Sequence, residues 1–136
     1  MSTSCVNYWA VVVGAVVYFI LGALWYSKGL FGKSWMQNIG KTEDQLKAAF
    51  SPWKLVWTFI GSFLAAYGLA RVMSWIPEAS VSTGIMVGIL AGVCFVFAPM
   101  SINDTMESRP CKLTSVNILY HMVGFVLMGI IIGAWR

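Results

Sequence analysis

A few polar side chains interrupt the apolar second half of this sequence, and these residues could carry chemistry. Asn117, Tyr120 and His121 share one apolar stretch, and Asn103 and Glu107 precede it. An amide or an imidazole is costly to place in hydrocarbon without a partner, so such groups in a membrane indicate either a functional site or structural hydrogen bonds. For Asn117 and His121 the sequence leaves two interpretations open: hydrogen bonds between helices, or a binding or transport site.

The chemistry that these residues could support is limited. His121 is the candidate proton carrier at depth because imidazole titrates near neutral pH. We expect Asp104, Glu107 and Arg109 to lie in a solvated loop. No histidine, cysteine or acid pair has metal-ligand spacing, and no HExxH, GxSxG or Walker pattern occurs. The sequence therefore predicts no metal site, no cofactor and no catalytic residue, although it does not exclude an enzyme.

Four apolar blocks must position these polar groups. Of the 136 residues, 59% are hydrophobic and only 10% are charged, whereas a soluble domain carries about 25% charged residues. Each block reaches the roughly 20 residues with which an α-helix crosses a bilayer. The sequence predicts an all-α integral membrane four-helix bundle, a single transmembrane domain over residues 1–136, with spans at about 6–26, 53–76, 81–102 and 113–135.

The connection between the first two blocks predicts one or two short interfacial helices within 30–50. Phe31, Trp35 and Ile39 recur at four-residue spacing, and Gly40 is a suitable helix end. The segment 42–45 (TEDQ) is typical of a capping box that starts a second helix. We expect these helices to lie on the cytoplasmic leaflet, and a lid over a pocket is the alternative. The predicted interfacial anchors are Trp25, Tyr26, Phe31 and Trp35.

Glycines at four-residue spacing predict where helices approach each other closely. Small residues at this spacing allow two helix backbones to touch. The glycines at this spacing in the third block predict that its helix is the most enclosed one, packed in the bundle or against another protomer. Pro99 should kink that helix. The fourth block carries glycines on one face and its polar residues on another, so we expect two partners. The helix-packing residues are Gly84, Gly88, Gly92, Gly129 and Gly133, with Gly61, Ala65 and Gly68 in the second block.

The chain resembles a family of small bacterial membrane proteins known as domain of unknown function 1761. The resemblance covers nearly the whole chain and implies a four-helix integral membrane protein, without a reaction or a cofactor. The residues that carry it are Gly22-Ala23-Leu24-Trp25-Tyr26-Ser27, Leu30-Phe31-Gly32-Lys33, Trp35-Met36, Asn117, Tyr120-His121, Met128-Gly129 and Gly133-Ala134-Trp135.

Three functional hypotheses follow. The first is a non-enzymatic membrane protein that acts through helix packing, as a homo-oligomer or as the partner of another membrane protein. The second is a small transporter or channel with a cytoplasm-facing polar site around Asn103, Asn117 and His121. The third and weakest is a membrane enzyme acting on a lipid-like substrate. Membrane lipids are expected partners, and nucleic acid is not, because the net charge of +4 is scattered over several loops.

The distribution of basic residues predicts the orientation of the chain in a bacterial inner membrane. Lysine and arginine are enriched in cytoplasmic loops. The first and third connections should therefore be cytoplasmic and both termini should face outward. The basic residues near these connections are Lys28, Lys33, Lys41, Lys47, Lys54, Arg109 and Lys112, and those at the other ends are Arg71 and Arg136.

Cysteine labelling in intact cells tests this orientation. In a chain with serine at positions 94 and 111, Cys5 should react with a membrane-impermeant thiol reagent, whereas a Gln37→Cys variant should add no reaction. The added cysteine should react once the cells are permeabilised. Labelling at position 37 without labelling at Cys5 in intact cells would show the reverse orientation.

Overall fold

The computed structural model describes residues 5–135, and Arg136, counted above among the outer basic residues, lies outside that range. The first half of the chain forms two long helices with two short ones between them. The long helices begin with polar or proline N-termini: Asn7 caps the first, its side chain accepting from the backbone N–H of Trp9 and Ala10, and proline stands at the start of the other. The helices are α1 (Tyr8–Trp25), α2 (Gly32–Ile39), α3 (Glu43–Ala48) and α4 (Pro52–Ser74).

The second half forms two further spans. The third span, Val81–Met106, is a continuous rod made of α5 (Val81–Ala91), a π-helical segment (Gly92–Phe97) and α6 (Ala98–Met106), and the fourth is α7 (Cys111–Ala134). Four helices in the described residues are thus long and apolar enough to cross a membrane, and no strand occurs among those residues. The prediction of an all-α, multi-pass membrane bundle is confirmed, although the third span ends later than expected.

Pro99 was expected to distort the third span. The distortion takes the form of the π-helical segment, which ends just before the proline. Proline has no N–H to donate to the carbonyl one turn earlier, and its ring crowds that carbonyl. A π turn widens the helix by one residue and relieves this crowding. Each added residue rotates the following helix by about 100° relative to the preceding one. The faces of α5 and α6 are therefore not continuous.

The glycine faces of α5 and α7 meet each other within one chain. Gly84 and Gly129 touch backbone to backbone, so a Cβ on either would overlap the carbonyl of the other. A Cβ on Gly88 would lie 2.6 Å from a carbonyl oxygen of α7, and one on Gly133 would lie 2.5 Å from that of Ser80. These distances are closer than real Cβ contacts, so only glycine allows the observed approach.

The most enclosed helix is α7 and not the third span, so this expectation is wrong for the single chain. In the apolar window of α7, 44% of the residues are buried, against 11% for Val81–Met106. The physical reason is that the third span uses one narrow glycine face, whereas α7 packs against α1, α4 and α5 together. Several other side chains of α5, such as Met86 and Leu90, are exposed to the surroundings of the bundle.

Of the three small residues predicted to pack in α4, Ala65 packs against the core, whereas the two glycines do not. A Cβ on Gly61 or Gly68 would have no atom within 4 Å, so these two glycines make no close helix contact. The packed face carries Ala66, whose Cβ would lie 3.7 Å from a Cβ on Gly14 of α1. The apolar core lies between α1, α4 and α7 and includes Ala10, Val11, Ala15, Ala70, Met73, Met128 and Ile132.

The two short helices follow the sequence signals closely. Helix α2 ends at Gly40, which has a φ of 70° and so adopts the left-handed conformation that glycine tolerates. The capping box is confirmed, with Thr42 and Gln45 bonding reciprocally to each other's backbone N–H. Glu43 forms ion pairs with Lys28 and Lys47, and hydrogen bonds from both ammonium groups hold the pKa of its carboxyl below the usual value.

Replacing Gly88 with leucine should destabilise the protein, because the new side chain would meet the backbone of α7. We expect the free energy of unfolding to fall by about 3 kcal/mol, the upper end of ordinary overpacking. Gly68→Leu is the matched control, since the same substitution there enters open space. Unfolding in mixed micelles measures both variants. Equal stability of the two would contradict the contact between α5 and α7.

Candidate functional site

Two hydrogen-bonded pairs join α1 to the polar face of α7. The hydroxyl of Tyr26, at the end of α1, donates to Oδ1 of Asn117 over 2.7 Å. One turn deeper along α7, the hydroxyl of Tyr18 is hydrogen-bonded to Nδ1 of His121. Each polar side chain that would be costly in hydrocarbon therefore has a partner on the neighbouring helix.

Tyr120 links these two pairs through its ring and its hydroxyl. Its ring stacks on that of Tyr18, with centroids 5.0 Å apart and an angle of 11°, and its hydroxyl donates to the backbone carbonyl of Tyr18 over 3.2 Å. Glycine makes room for this packing on both helices. A Cβ on Gly22 would lie 2.8 Å from the Tyr120 hydroxyl, and a Cβ on Gly124 would overlap the Tyr18 ring.

The aromatic residues of the first connection dock α2 onto this cluster. The indole N–H of Trp25 donates to the backbone carbonyl of Val116 in α7 over 3.0 Å. The ring centroids of Trp25 and Phe31 are 4.6 Å apart, and those of Tyr26 and Trp35 are 5.1 Å apart. The four predicted interfacial anchors thus contact one another and the bundle. Their role at a lipid surface stays a prediction.

An open cleft between α4 and the third span reaches His121. Its volume is about 420 Å³. Tyr18, Tyr120 and His121 lie at its polar side, and Thr58, Gly61 and Ser62 line it from α4, with Phe95, Val96 and Met100 from the third span. At 1.5 Å per residue, His121 lies about 15 Å along α7 from its first residue. The cleft therefore brings a polar group to about half the depth of the bundle.

The chemistry of the cleft is that of neutral hydrogen bonding. None of the residues that line it is lysine, arginine, aspartate or glutamate. The hydroxyls of Thr58 and Ser62 donate to backbone carbonyls within α4, which leaves their lone pairs as acceptors. Among the described residues no group of three His, Cys, Asp or Glu side chains could hold a metal ion. The arrangement can hold a polar, uncharged group and can orient it.

The structure brings together only some of the predicted site residues. Asn117, Tyr120 and His121 belong to one cluster, whereas Asn103 and Glu107 are exposed on and after α6 and do not line the cleft. Glu107 instead accepts from Nε of Arg109 over 2.6 Å. The π-helical segment accounts for this, because its extra residue rotates α6 by about 100° relative to α5 before position 103 is reached.

Asp104 is buried, so the expectation that it lies in a solvated loop is wrong. Its Oδ2 accepts a hydrogen bond from the hydroxyl of Thr114 over 2.6 Å, and its Oδ1 lies 3.8 Å from Nε of Arg109. These contacts join the end of α6 to the start of α7. The carboxylate therefore stabilises the connection between α6 and α7.

Sequence reasoning missed Tyr18, which is the partner of His121. The only local signal was a phenolic hydroxyl inside an otherwise apolar span. A hydroxyl buried in hydrocarbon needs a hydrogen bond, but the partner lies 103 residues away. No spacing rule connects two residues so far apart, and only the packing of α1 on α7 identifies the pair.

Comparison with known proteins places the chain in one family without a known activity. A family model described as protein of unknown function (DUF1761) matches residues 9–133, a range that contains all four polar partners described above. No curated protein and no solved structure gives a significant match. The functional argument therefore depends on the geometry of the site.

A double-mutant cycle tests the pairing of Tyr18 with His121. His121→Phe should lower the free energy of unfolding by about 1–3 kcal/mol, because the Tyr18 hydroxyl loses its partner in a buried site. His121→Gln should be milder, since an amide supplies both a donor and an acceptor. Combining His121→Phe with Tyr18→Phe should cost about 1 kcal/mol less than the sum of the single changes. Strict additivity would mean that the two side chains do not interact.

Proposed function

Since the chain belongs to the family of proteins of unknown function DUF1761, we propose from its own geometry that it is a non-enzymatic membrane protein that binds a membrane-soluble molecule in the cleft between α4 and the third span. The observation that carries this proposal is the hydrogen-bonded pair of Tyr18 and His121 beside an open cavity of about 420 Å³. Packing alone would not need a cavity next to a costly polar pair.

The glycine faces support binding over assembly as the main role. Gly84, Gly88, Gly129 and Gly133 are in contact within one chain, so they are not free to join a second protomer. A homo-oligomer, or a complex with another membrane protein, would have to use other faces of the bundle. Exposed apolar residues of α5 such as Met86 and Leu90 are available for lipid or for such a partner.

The expected setting is the bacterial inner membrane, with the polar pairs nearer the cytoplasmic side. The basic residues favour a cytoplasmic location for the connection that carries α2 and α3. A molecule could then enter the cleft laterally from the bilayer, between α4 and α6. The candidate site in this proposal consists of Asn117, Tyr120 and His121 with the newly found Tyr18.

Transport is the second candidate, and one observation favours it. The pairs Tyr26–Asn117 and Tyr18–His121 lie on successive turns of α7, about 9 Å and 15 Å along the helix from its first residue. The imidazole of the deeper pair can accept and release a proton. Proton flux into liposomes that is abolished by His121→Gln would favour transport, because an amide does not titrate near neutral pH.

Filling the cleft should remove the bound molecule. Gly61 lines the cleft and has open space around it, so Gly61→Leu should fold normally and occupy the site. Ala23→Leu, on the exposed side of α1, is the matched control. Mass spectrometry of lipids retained in nanodiscs should find a molecule that is depleted about tenfold in the Gly61 variant, equivalent to about 1.4 kcal/mol of binding. Identical lipid profiles for the three proteins would contradict the proposal.

A further inference from the structure

The cleft at His121 continues into an apolar groove along the same two helices. A second cavity, of about 300 Å³, lies farther along α4 and α5. It shares Ala65, Phe95 and Phe125 with the cleft, so the two cavities adjoin, and we refer to them together as the channel. We call this continuation the tail groove. Its further lining is apolar and comprises Leu64, Gly68, Leu69, Val72, Val87, Leu90 and Ala91.

The combined length suits an extended hydrocarbon chain. From Thr58 in the cleft to Val72 at the far end of the tail groove, α4 rises about 21 Å. Two glycines of α4, Gly61 and Gly68, lie along this path with no atom within 4 Å of a Cβ position. Their missing side chains deepen the channel on the α4 side. A channel of this length has room along α4 for one extended hydrocarbon chain.

The polar end of the channel selects an uncharged head group. Hydrogen-bonding groups are concentrated at His121, Tyr18 and Tyr120, whereas the tail groove has only apolar side chains and glycine along its walls. No lysine, arginine, aspartate or glutamate lines either cavity. A charged head group would therefore be buried without a counterion, which is costly in a medium of low polarity. A carbonyl or hydroxyl oxygen needs only one hydrogen bond.

We propose that the molecule bound in this channel is a neutral lipid with one long apolar chain, whose carbonyl or hydroxyl oxygen is hydrogen-bonded at His121 and whose chain lies in the tail groove. The inference rests on the proposed function and adds the chemical class and the orientation of the ligand. A long-chain alcohol and a quinone both supply this chemistry. The two sources differ in the head, because the flat ring of a quinone would also pack against Phe95 and Phe125.

The single histidine of the sequence provides the probe. With ¹⁵N-labelled histidine, one imidazole reports on the polar end of the channel in nanodiscs of phosphatidylcholine. Hexadecanol or decylubiquinone should shift the imidazole signals and saturate, and the one that binds more tightly identifies the source. Hexadecyl sulfate, which has the same chain and a permanent charge, should bind at least about tenfold more weakly than hexadecanol.

The position of the ligand's hydrocarbon chain is tested with the tail-groove variant Gly68→Leu. It should weaken hexadecanol about tenfold and weaken octanol, whose chain is half as long and covers less of the tail groove, much less. Ala23→Leu should leave both unchanged. The inference is overturned if neither hexadecanol nor decylubiquinone moves the imidazole signals, or if hexadecyl sulfate binds as well as hexadecanol. It is also overturned if Gly68→Leu weakens the binding of neither hexadecanol nor decylubiquinone. Depletion of a native molecule by Gly61→Leu, combined with silent probes, would retain the proposed function and reject this ligand class.

Discussion

Contact between the backbones of α5 and α7 determines where the other helices can lie. Lipid chains are as apolar as leucine, so burial of apolar surface does little to hold helices together in a bilayer, and close packing must supply the attraction. At Gly84 and Gly129 the two backbones touch because neither residue has a side chain. Many small dispersion contacts then accumulate over the length of both helices. This contact places α7 in the centre of the bundle, with its glycine face occupied by α5.

The polar residues and the cleft follow from that placement. Another face of α7 packs against α1, where Asn117 and His121 are hydrogen-bonded to tyrosine hydroxyls. Helix α4 packs on α1 and α7 and makes few contacts with α5, so an open channel remains between α4 and the third span. His121 lies where the α1–α7 interface borders this channel. The polar pair is therefore hydrogen-bonded within the protein and also borders an open cleft, which is the arrangement that a binding site needs.

Local signals allowed the sequence to predict much of the fold. The four spans, the end of α2 at Gly40 and the capping box at Thr42 each depend on residues close together in the chain. The candidate site was predicted in part, because Asn117 and His121 are conspicuous in an apolar helix. Tyr18 was missed since its partner is distant in sequence. Asn103 was grouped with them because its expected depth matched that of Asn117, but depth does not determine which face of the helix a residue occupies, and the structure places Asn103 on an exposed face of α6.

The most direct test of this account is a solid-state NMR measurement of the contact between Gly84 and Gly129 inside one chain. In protein labelled with ¹³Cα-glycine and reconstituted in bilayers, a cross peak should connect these two residues. The account predicts that the cross peak keeps its relative intensity when labelled protein is diluted with unlabelled protein, because both glycines belong to the same molecule. A cross peak that fades with dilution would place the contact between protomers, and the cleft derived from a self-contained bundle would be contradicted.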